Sequence, residues 1–425
     1  MTIRLFRAVY GLLVLTLLLA GCGGSREKKE EKKTAAPAAA SLKEVHFFME
    51  TSASMGGYLR GGTEFKDVVS DVVTKANTIK PLKVWTITEK PQAYTGDARQ
   101  FVEGLATTPL ATGKSSKLHT IFEQVGQKAG TSNIAMLVTD AILSFPDNEI
   151  KANPEINREN ASSVLKNQIY DQFSKLSQKG VGATVYAFTS QYNGTYYDYR
   201  NAKQKLSGEP RPFYIWLIGK QELLNDFNQK LQGMLSVQPA KVLNFGTGTA
   251  LTDYELFFSL NKKGKWRAER GSLADMRARS GNPEEFAIGL DLGNLPAYAQ
   301  SEDYLRKNLT VNAKEAAVKL ATVQRKDDLS NTAKLSEREE KILNGVTHVL
   351  TFRVDNLYGN EATVAIKLPV RFDNWYEKDW TTLDDRTAAG RRGKTFALQY
   401  LMSGVKEAYQ SSTNDFLNLT IKLKK

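Results

Sequence analysis

Two short polar segments carry the side chains of this sequence that could do chemistry. Glu50, Ser52 and Ser54 follow one apolar run, and Thr139 and Asp140 follow another. Their hydroxyl and carboxylate oxygens are the atoms that hard cations such as Mg²⁺ take as ligands. Ser and Asp also cap loops and helix starts routinely, so a purely structural role is the alternative.

Both segments come directly after runs typical of buried strands, residues 45–49 and 134–138. Apolar residues from Phe65 to Ala76 recur at helical spacing and predict a helix between them. Further strands are predicted at 84–88, 183–189 and 213–218, and further helices at 118–129, 161–179 and 221–235. This alternation predicts an α/β fold whose mainly parallel sheet is covered by helices on both faces. In such folds, sites form beyond the carboxyl ends of the strands.

Residues 42–235 resemble the von Willebrand factor A family in their order of elements and in two motifs. The family carries Asp-x-Ser-x-Ser after its first strand, where this chain has residues 50–54, and Thr-Asp after its fourth, where this chain has Thr139-Asp140. The resemblance implies a Rossmann-like domain with a metal-ion-dependent adhesion site at the sheet edge. By the family pattern, Ser52 and Ser54 would ligate the ion through hydroxyls and Asp140 would hold it directly or through water. Ser116 would occupy the position of the isolated Thr in the family's metal site.

Such a ligand set leaves Mg²⁺, or Mn²⁺ as its substitute, short of charge and open to an acidic ligand from a protein partner. The departure from the family pattern is Glu50, whose extra methylene moves the carboxylate by about 1.5 Å. Mg²⁺ tolerates little distortion of its octahedron. Three interpretations follow: metal binding with adjusted geometry, binding that is weak or needs a ligand, and a capping role without metal.

The N-terminus carries another reactive residue, Cys22, which is the chain's single cysteine and therefore has no intramolecular disulfide partner. Arg4 and Arg7 precede an apolar core at residues 9–20, which is too short to span a bilayer as a mature helix. Residues 19–22, Leu-Ala-Gly-Cys, resemble the lipobox of bacterial lipoproteins. That resemblance implies a signal peptide at 1–21, lipidation of Cys22 and, with Gly next, sorting to the outer membrane. An ordinary signal peptide or short anchor helix is the alternative.

Residues 22–41 are predicted to be the lipidated cysteine and a flexible linker, because a charge run at 26–33 and an Ala/Pro stretch at 35–40 bury little apolar surface. The formal charge of +12 is spread along the chain without a cluster interleaved with aromatic residues. Together with export, this distribution argues against nucleic acid as a partner.

Residues 236–425 are predicted to form a second, β-sandwich-like domain. Apolar residues alternate with more polar neighbours at 286–292, 346–354, 362–368 and 417–423, which is typical of antiparallel strands. Helical insertions are predicted at 313–343 and 396–409. This half resembles no family that we recognise.

Tyrosines follow the strand predicted at 183–189, whose carboxyl end should open at the same edge as Asp140. Asn193-Gly194 between extended residues predicts a hairpin turn, since both residues accept positive φ. The hairpin would project four rings toward a partner, those of Tyr192, Tyr196, Tyr197 and Tyr199. The alternative is that these rings pack on the domain's own flank or against the sandwich.

The sequence does not indicate an enzyme. His46, His119 and His348 are isolated, and no nucleophile–base pair is visible. The leading interpretation is a membrane-anchored envelope lipoprotein that binds a protein partner through the first domain. The alternative is a structural subunit of an envelope complex with a decayed metal site, and a cell-envelope hydrolase is disfavoured.

Overall fold

The computed structural model describes residues 41–425 except 108–109, 112, 114–116, 143–146, 247–249, 270, 294, 331, 333–334 and 411–414. The predicted signal peptide, Cys22 and the linker up to residue 40 therefore lie outside the described residues, as does Ser116. Across the part of the chain that is described, no helix is both long enough and apolar enough to cross a membrane.

A seven-stranded sheet forms the first half. Its strands are β1 (Glu44–Glu50), β2 (Leu82–Ile87), β3 (Pro91–Ala93), β4 (Asn133–Thr139), β5 (Val181–Tyr197), β6 (Lys203–Lys220) and β7 (Lys241–Phe245), in the order β3-β2-β1-β4-β6-β5-β7. β1 is parallel to β2 and β4, while β6 is antiparallel to both β4 and β5. β5 therefore runs in the same direction as β1, as predicted, and the two strands end at the same edge.

Helices cover both faces of this sheet. They are α1 (Glu64–Ile79), α2 (Ala98–Gly104), α3 (Leu118–Lys128), α4 (Asp147–Ala152), α5 (Ile156–Asn160), α6 (Lys166–Gln178) and α7 (Gln221–Met234). Successive side chains of β1 point to opposite faces, so Phe48 packs in the core formed with α3 and α6, while Phe47 packs in the core formed with α1 and α7. Both faces of β1 are apolar for this reason, and the predicted α/β fold class is confirmed.

The second half contains two further sheets. Its strands are β8 (Glu255–Leu256), β9 (Arg267–Glu269), β10 (Ser272–Ala274), β11 (Glu284–Leu290), β12 (Thr310–Lys314), β13 (Ala316–Arg325), β14 (His348–Leu357), β15 (Glu361–Pro369), β16 (Thr381–Thr382), β17 (Thr395–Phe396) and β18 (Asp415–Lys424). One sheet has the order β12-β15-β18-β10-β9 and the other β13-β14-β11-β8. Phe352 of one sheet and Ile366 and Leu419 of the other share one core, so the two sheets pack as a sandwich.

The helices of this half are α8 (Glu302–Asn308), α9 (Glu337–Asn344), α10 (Ala388–Arg391) and α11 (Leu398–Tyr409). The helix predicted over 313–343 is wrong, because β12 and β13 occupy its first part and α9 lies near its end. β13 pairs with β14 from Ala316 to Arg325, and this ladder decides the conformation over local propensity.

The large sheet and its core extend beyond Leu235, the last residue predicted for the first domain. β7 pairs with β5 as the edge strand, and α11 packs against α6. A Cβ added at Gly404 would lie 2.5 Å from the Lys166 carbonyl oxygen, so the absence of a side chain there allows the two helices to approach closely. Residues 241–245 and 375–409 thus complete the core of the first half.

Candidate functional site

Parallel pairing brings the two polar segments together at the carboxyl edge of the sheet. Met49 lies opposite Val138, so Glu50 and Thr139 are neighbours where β1 and β4 end. The Thr139 hydroxyl donates a short hydrogen bond to the Glu50 carboxylate, and it accepts one from the Ala141 amide at 2.8 Å. We call Glu50, Ser52, Ser54 and Asp140 the edge site.

Ser52 begins a short 3₁₀ helix, Ala53–Gly57, but its side chain does not cap that helix. Instead its hydroxyl oxygen lies 3.0 Å from that of Ser54, and Ser52 is buried. The two hydroxyls are therefore held side by side, as two ligands of one ion would be. The capping interpretation weighed for Ser52 does not describe what its side chain does.

Asp140 is buried with half of its carboxylate unsatisfied. Its Oδ1 accepts a hydrogen bond from the Ile142 amide at 3.1 Å, whereas its Oδ2 is buried with no hydrogen-bond partner in the part of the chain that the structure describes. Burial, and then repulsion from Glu50, raise the pKa of Asp140 to about 7; the Ser54 hydroxyl, the Ile142 amide and Arg211 oppose this shift. A cation at Oδ2 would offset both the cost of burying the carboxylate and its repulsion from Glu50.

The turn after Asp140 is built by a non-glycine residue in the left-handed region. Ala141 has φ of 55°, a conformation that costs free energy for a residue with a Cβ. It brings the Ile142 amide onto Asp140 and the Ala141 amide onto Thr139. Backbone strain of this kind concentrates at functional sites.

Arg211 on β6 influences the electrostatics of the edge site, and the sequence alone did not predict this role. Its guanidinium is buried, lies 4.5 Å from the centre of the Tyr196 ring and donates to the Arg391 carbonyl at 2.5 Å. It forms no ion pair with any carboxylate among the described residues, yet it lowers the pKa of Asp140 at longer range. The one signal in the sequence was a cation between Pro210 and Pro212 just before an apolar run.

The predicted hairpin turn at Asn193-Gly194 is wrong. β5 continues to Tyr197, and the chain turns at residues 198–202, where Asn201 has φ of 57°. Gly194 forms an irregularity in the ladder and packs on Gly57, with a Cβ added at Gly194 only 3.3 Å from the Gly57 Cα. Gly194 also has φ of 155°, so a glycine suits this irregular, closely packed position of the strand rather than a tight turn.

Three of the four tyrosines predicted as partner contacts are buried, which corrects that prediction in favour of packing on the protein's own flank. Tyr192, Tyr196 and Tyr199 are each at most 2% exposed, while Tyr197 is half-buried. The Tyr192 hydroxyl lies 3.0 Å from the Ser54 carbonyl oxygen, so this side chain supports the edge site from behind.

The segment that carries Ser116 approaches the edge site at Gly113. The Gly113 amide donates to the Thr51 carbonyl at 2.9 Å, and a Cβ there would lie 2.5 Å from the Thr88 hydroxyl oxygen. Ser116 itself lies outside the described residues.

The residues of the edge site fit a hard divalent cation. Two carboxylates and two adjacent hydroxyls supply oxygen ligands only, and the unsatisfied Oδ2 of Asp140 is a buried acceptor that a cation would satisfy. Within the described residues, no group of three or more His, Cys, Asp or Glu side chains could hold a metal ion. A site here would therefore depend on hydroxyls, which favours Mg²⁺ or Mn²⁺ over zinc.

Comparisons with known proteins give little further information. No family model and no curated protein matches the chain. A solved structure, the von Willebrand factor type A from Catenulispora acidiphila, is similar over 49% of this chain and 63% of that chain, at 12% sequence identity and a TM-score of 0.17. The match thus spans less than two thirds of that structure. At this score the likeness carries no argument, and the fold class rests on the sheet and helices described above.

Proposed function

We propose that the protein is an envelope lipoprotein that binds a protein partner at the edge site through a divalent cation, Mg²⁺ or Mn²⁺. The observation that carries this proposal is the buried, unsatisfied Oδ2 of Asp140, beside two hydroxyls that are 3.0 Å apart. A buried acceptor without a partner costs free energy, and bound metal or ligand offsets that cost.

In this proposal, Ser52 and Ser54 are hydroxyl ligands and Asp140 is the carboxylate ligand, with Ser116 as a further hydroxyl. Glu50 is held by Thr139 next to these ligands. When bound, the ion would supply a coordination position for an acidic side chain of the partner. The chain's own residues hold the ion and exclude water from its buried side.

The alternative is a structural subunit with a decayed metal site, and Arg211 is the observation that favours it. A buried guanidinium close enough to shift the pKa of Asp140 supplies positive charge without any ion. In that case the edge site would be a fixed polar core, and the sandwich would do the docking. Metal dependence of partner capture separates the two functions.

The experiment is capture of partner proteins from detergent-solubilised envelope, with the full-length protein as bait. Wild type is expected to retain a partner in about 5 mM Mg²⁺, because a ligand in excess keeps the site filled, and to lose it in EDTA. Asp140→Asn should lose it under both conditions. Asp67→Asn, an exposed Asp on α1, serves as the matched control and should behave as wild type. Capture that survives both EDTA and Asp140→Asn would contradict the proposal.

Anchoring is proposed to be through lipid on Cys22, in the outer membrane. The Cys22→Ala variant is expected to leave the membrane fraction or to accumulate as an uncleaved precursor, and stable attachment needs more than one acyl chain. Cell fractionation followed by immunoblotting measures this. A variant that stays in the membrane fraction at the wild-type size would contradict lipid anchoring.

A further inference from the structure

A cleft of about 950 Å³ lies between the two halves of the protein, away from the edge site. One wall is formed by α7 and β7 of the large sheet, and the other by Gly293, residues 295–308, which include α8, and residues 371–373. None of the edge-site residues lines it. A concave volume of this size is in the range of small-molecule sites.

The cleft is rich in side-chain amides, which both donate and accept hydrogen bonds. They include Asn225, Gln229, Gln232, Asn244, Gln300 and Asn308. Asn244 is fixed because its Oδ1 accepts from the Thr184 hydroxyl at 2.9 Å, and its Nδ2 makes no hydrogen bond to any described residue. Amides of this kind match hydroxyl groups, which also donate and accept.

Three half-buried aromatic rings complete the lining, and their neighbours fix them in place. Tyr298 and Tyr304 meet edge to face with ring centres 5.2 Å apart, and Phe372 lies 5.5 Å from Phe245. Fixed ring faces offer large apolar area with few torsions to freeze on binding. Amides beside such faces suit a ligand that has hydroxyls at its edges and C–H groups on its faces, as a pyranose ring does.

The charged groups of the cleft have a positive excess. Lys307, Arg325 and Arg371 line it and form no ion pair within the described residues, against two carboxylates, Asp303 and Asp373. Guanidinium groups bind carboxylate and phosphate oxygens through paired hydrogen bonds. Unpaired cations at the wall therefore favour a ligand that carries a negative group.

We propose that this cleft binds a short acidic oligosaccharide, with sugar units that carry a carboxylate or a phosphate. The amides bond the hydroxyls, the rings of Tyr298 and Phe372 pack against sugar faces, and Arg371 pairs with the acidic group. An extended peptide would add to the edge strand β7, which lines the cleft, and the triglutamate arm of the test below distinguishes that occupant. The site is separate from the edge site, so the two proposals stand or fall independently.

The test is calorimetric titration of the purified full-length protein with four ligands of similar size: trigalacturonate, a maltotriose phosphate, maltotriose and triglutamate. One or both acidic sugars are expected to bind roughly tenfold more tightly than maltotriose. This difference in affinity is that of one charge-assisted hydrogen-bonded pair between a cation of the cleft and the acidic group. Binding of trigalacturonate alone would identify the acidic group as a carboxylate, and binding of the phosphate sugar alone as a phosphate. Absence of binding by both, or tighter binding of triglutamate, would overturn the proposal.

Variants locate the interaction. Arg371→Gln, at an exposed position, should weaken binding of the acidic sugar roughly tenfold and leave maltotriose binding unchanged. Lys307→Gln, also exposed, is a second variant, and Arg392→Gln, exposed and outside the cleft, is the matched control. Equal affinities in wild type, Arg371→Gln and Lys307→Gln would show that the sugar binds elsewhere.

Discussion

Two buried charged clusters lie against the β5–β6 hairpin, and they differ in how completely their carboxylate oxygens are bonded. At the edge site, Asp140 has one unsatisfied carboxylate oxygen among the described residues. In the other cluster, which we call the clamp (Glu209, Arg211, Asp385 and Arg391), both oxygens of each carboxylate are bonded. Arg391 donates to Glu209 at 2.7 and 3.0 Å, and Asp385 accepts from the Tyr196 hydroxyl and from the Tyr199 amide at 3.0 Å.

The comparison separates a structural cluster from a binding site. The clamp ties residues 385–391 to a hairpin about 180 positions earlier in the chain, and its paired charges leave no acceptor for a ligand. The edge site has the same burial and the same type of residue, but its charges are incompletely paired. Buried carboxylate oxygens are normally bonded, so the unsatisfied Oδ2 of Asp140, beside two hydroxyls, supports a ligand position at the edge site.

The largest effect is expected from breaking the clamp. Arg391→Met should lower the free energy of unfolding by about 3–5 kcal/mol, because it leaves the Glu209 carboxylate buried without its partner. Urea unfolding measures this, with Arg392→Met as the matched control, since Arg392 is the exposed neighbour. A loss below about 1 kcal/mol, typical of surface ion pairs, would show that the clamp is not structural.

A smaller effect is expected where the hairpin touches the loop of the edge site. A Cβ at Gly57 would lie 2.2 Å from the Tyr192 ring, so Gly57→Ala should cost about 1–3 kcal/mol through overpacking. Gly62→Ala is the matched control, because nothing lies within 4 Å of a Cβ there. If thermal unfolding showed the same stability for both variants, the close packing of Tyr192 on this loop would be contradicted.

Apolar runs and helical spacing predicted the elements that place the edge site. Residues 45–49 and 134–138 are buried strands in the structure, and parallel pairing then brings Glu50 beside Thr139. The spacing of Phe65, Val69 and Val73 predicted a helix with one buried face, which is α1. These features follow from local sequence, because a short continuous apolar run is typical of a strand buried on both faces and helical spacing is typical of a helix with one apolar face.

Features set by distant contacts were not predictable from the sequence. Asn193-Gly194 has the composition of a turn, but Gly194 lies in an irregularity of the ladder and packs closely on Gly57 of another segment. Arg211 gave no pattern because its partners, Tyr196 and the Arg391 carbonyl, come from other segments. The contribution of α11 to the core of the large sheet depends on Gly404 meeting α6, and no local signal marks such a contact.

The pH dependence of the edge site follows from the raised pKa of Asp140. In the metal-free folded protein this pKa is about 7, above its value of about 3.9 in an unfolded chain. The folded state therefore takes up the proton first, and the free energy of unfolding should rise as pH falls from 8 through 7 toward 4. Divalent cations compete with this proton, so they should bind more weakly at pH 6 than at pH 8.

The most direct test of cation binding at the edge site is thermal unfolding of the purified protein with and without Mg²⁺. At pH 8, a tenfold excess of Mg²⁺ over its Kd should stabilise wild type by about 1.4 kcal/mol, and Mn²⁺ should do likewise. The increment should shrink at pH 6 and in Ser52→Ala, vanish in Asp140→Asn, and persist in Asp67→Asn. A melting temperature of wild type that does not respond to either metal at pH 8, or an increment that survives Asp140→Asn, would contradict cation binding at the edge site.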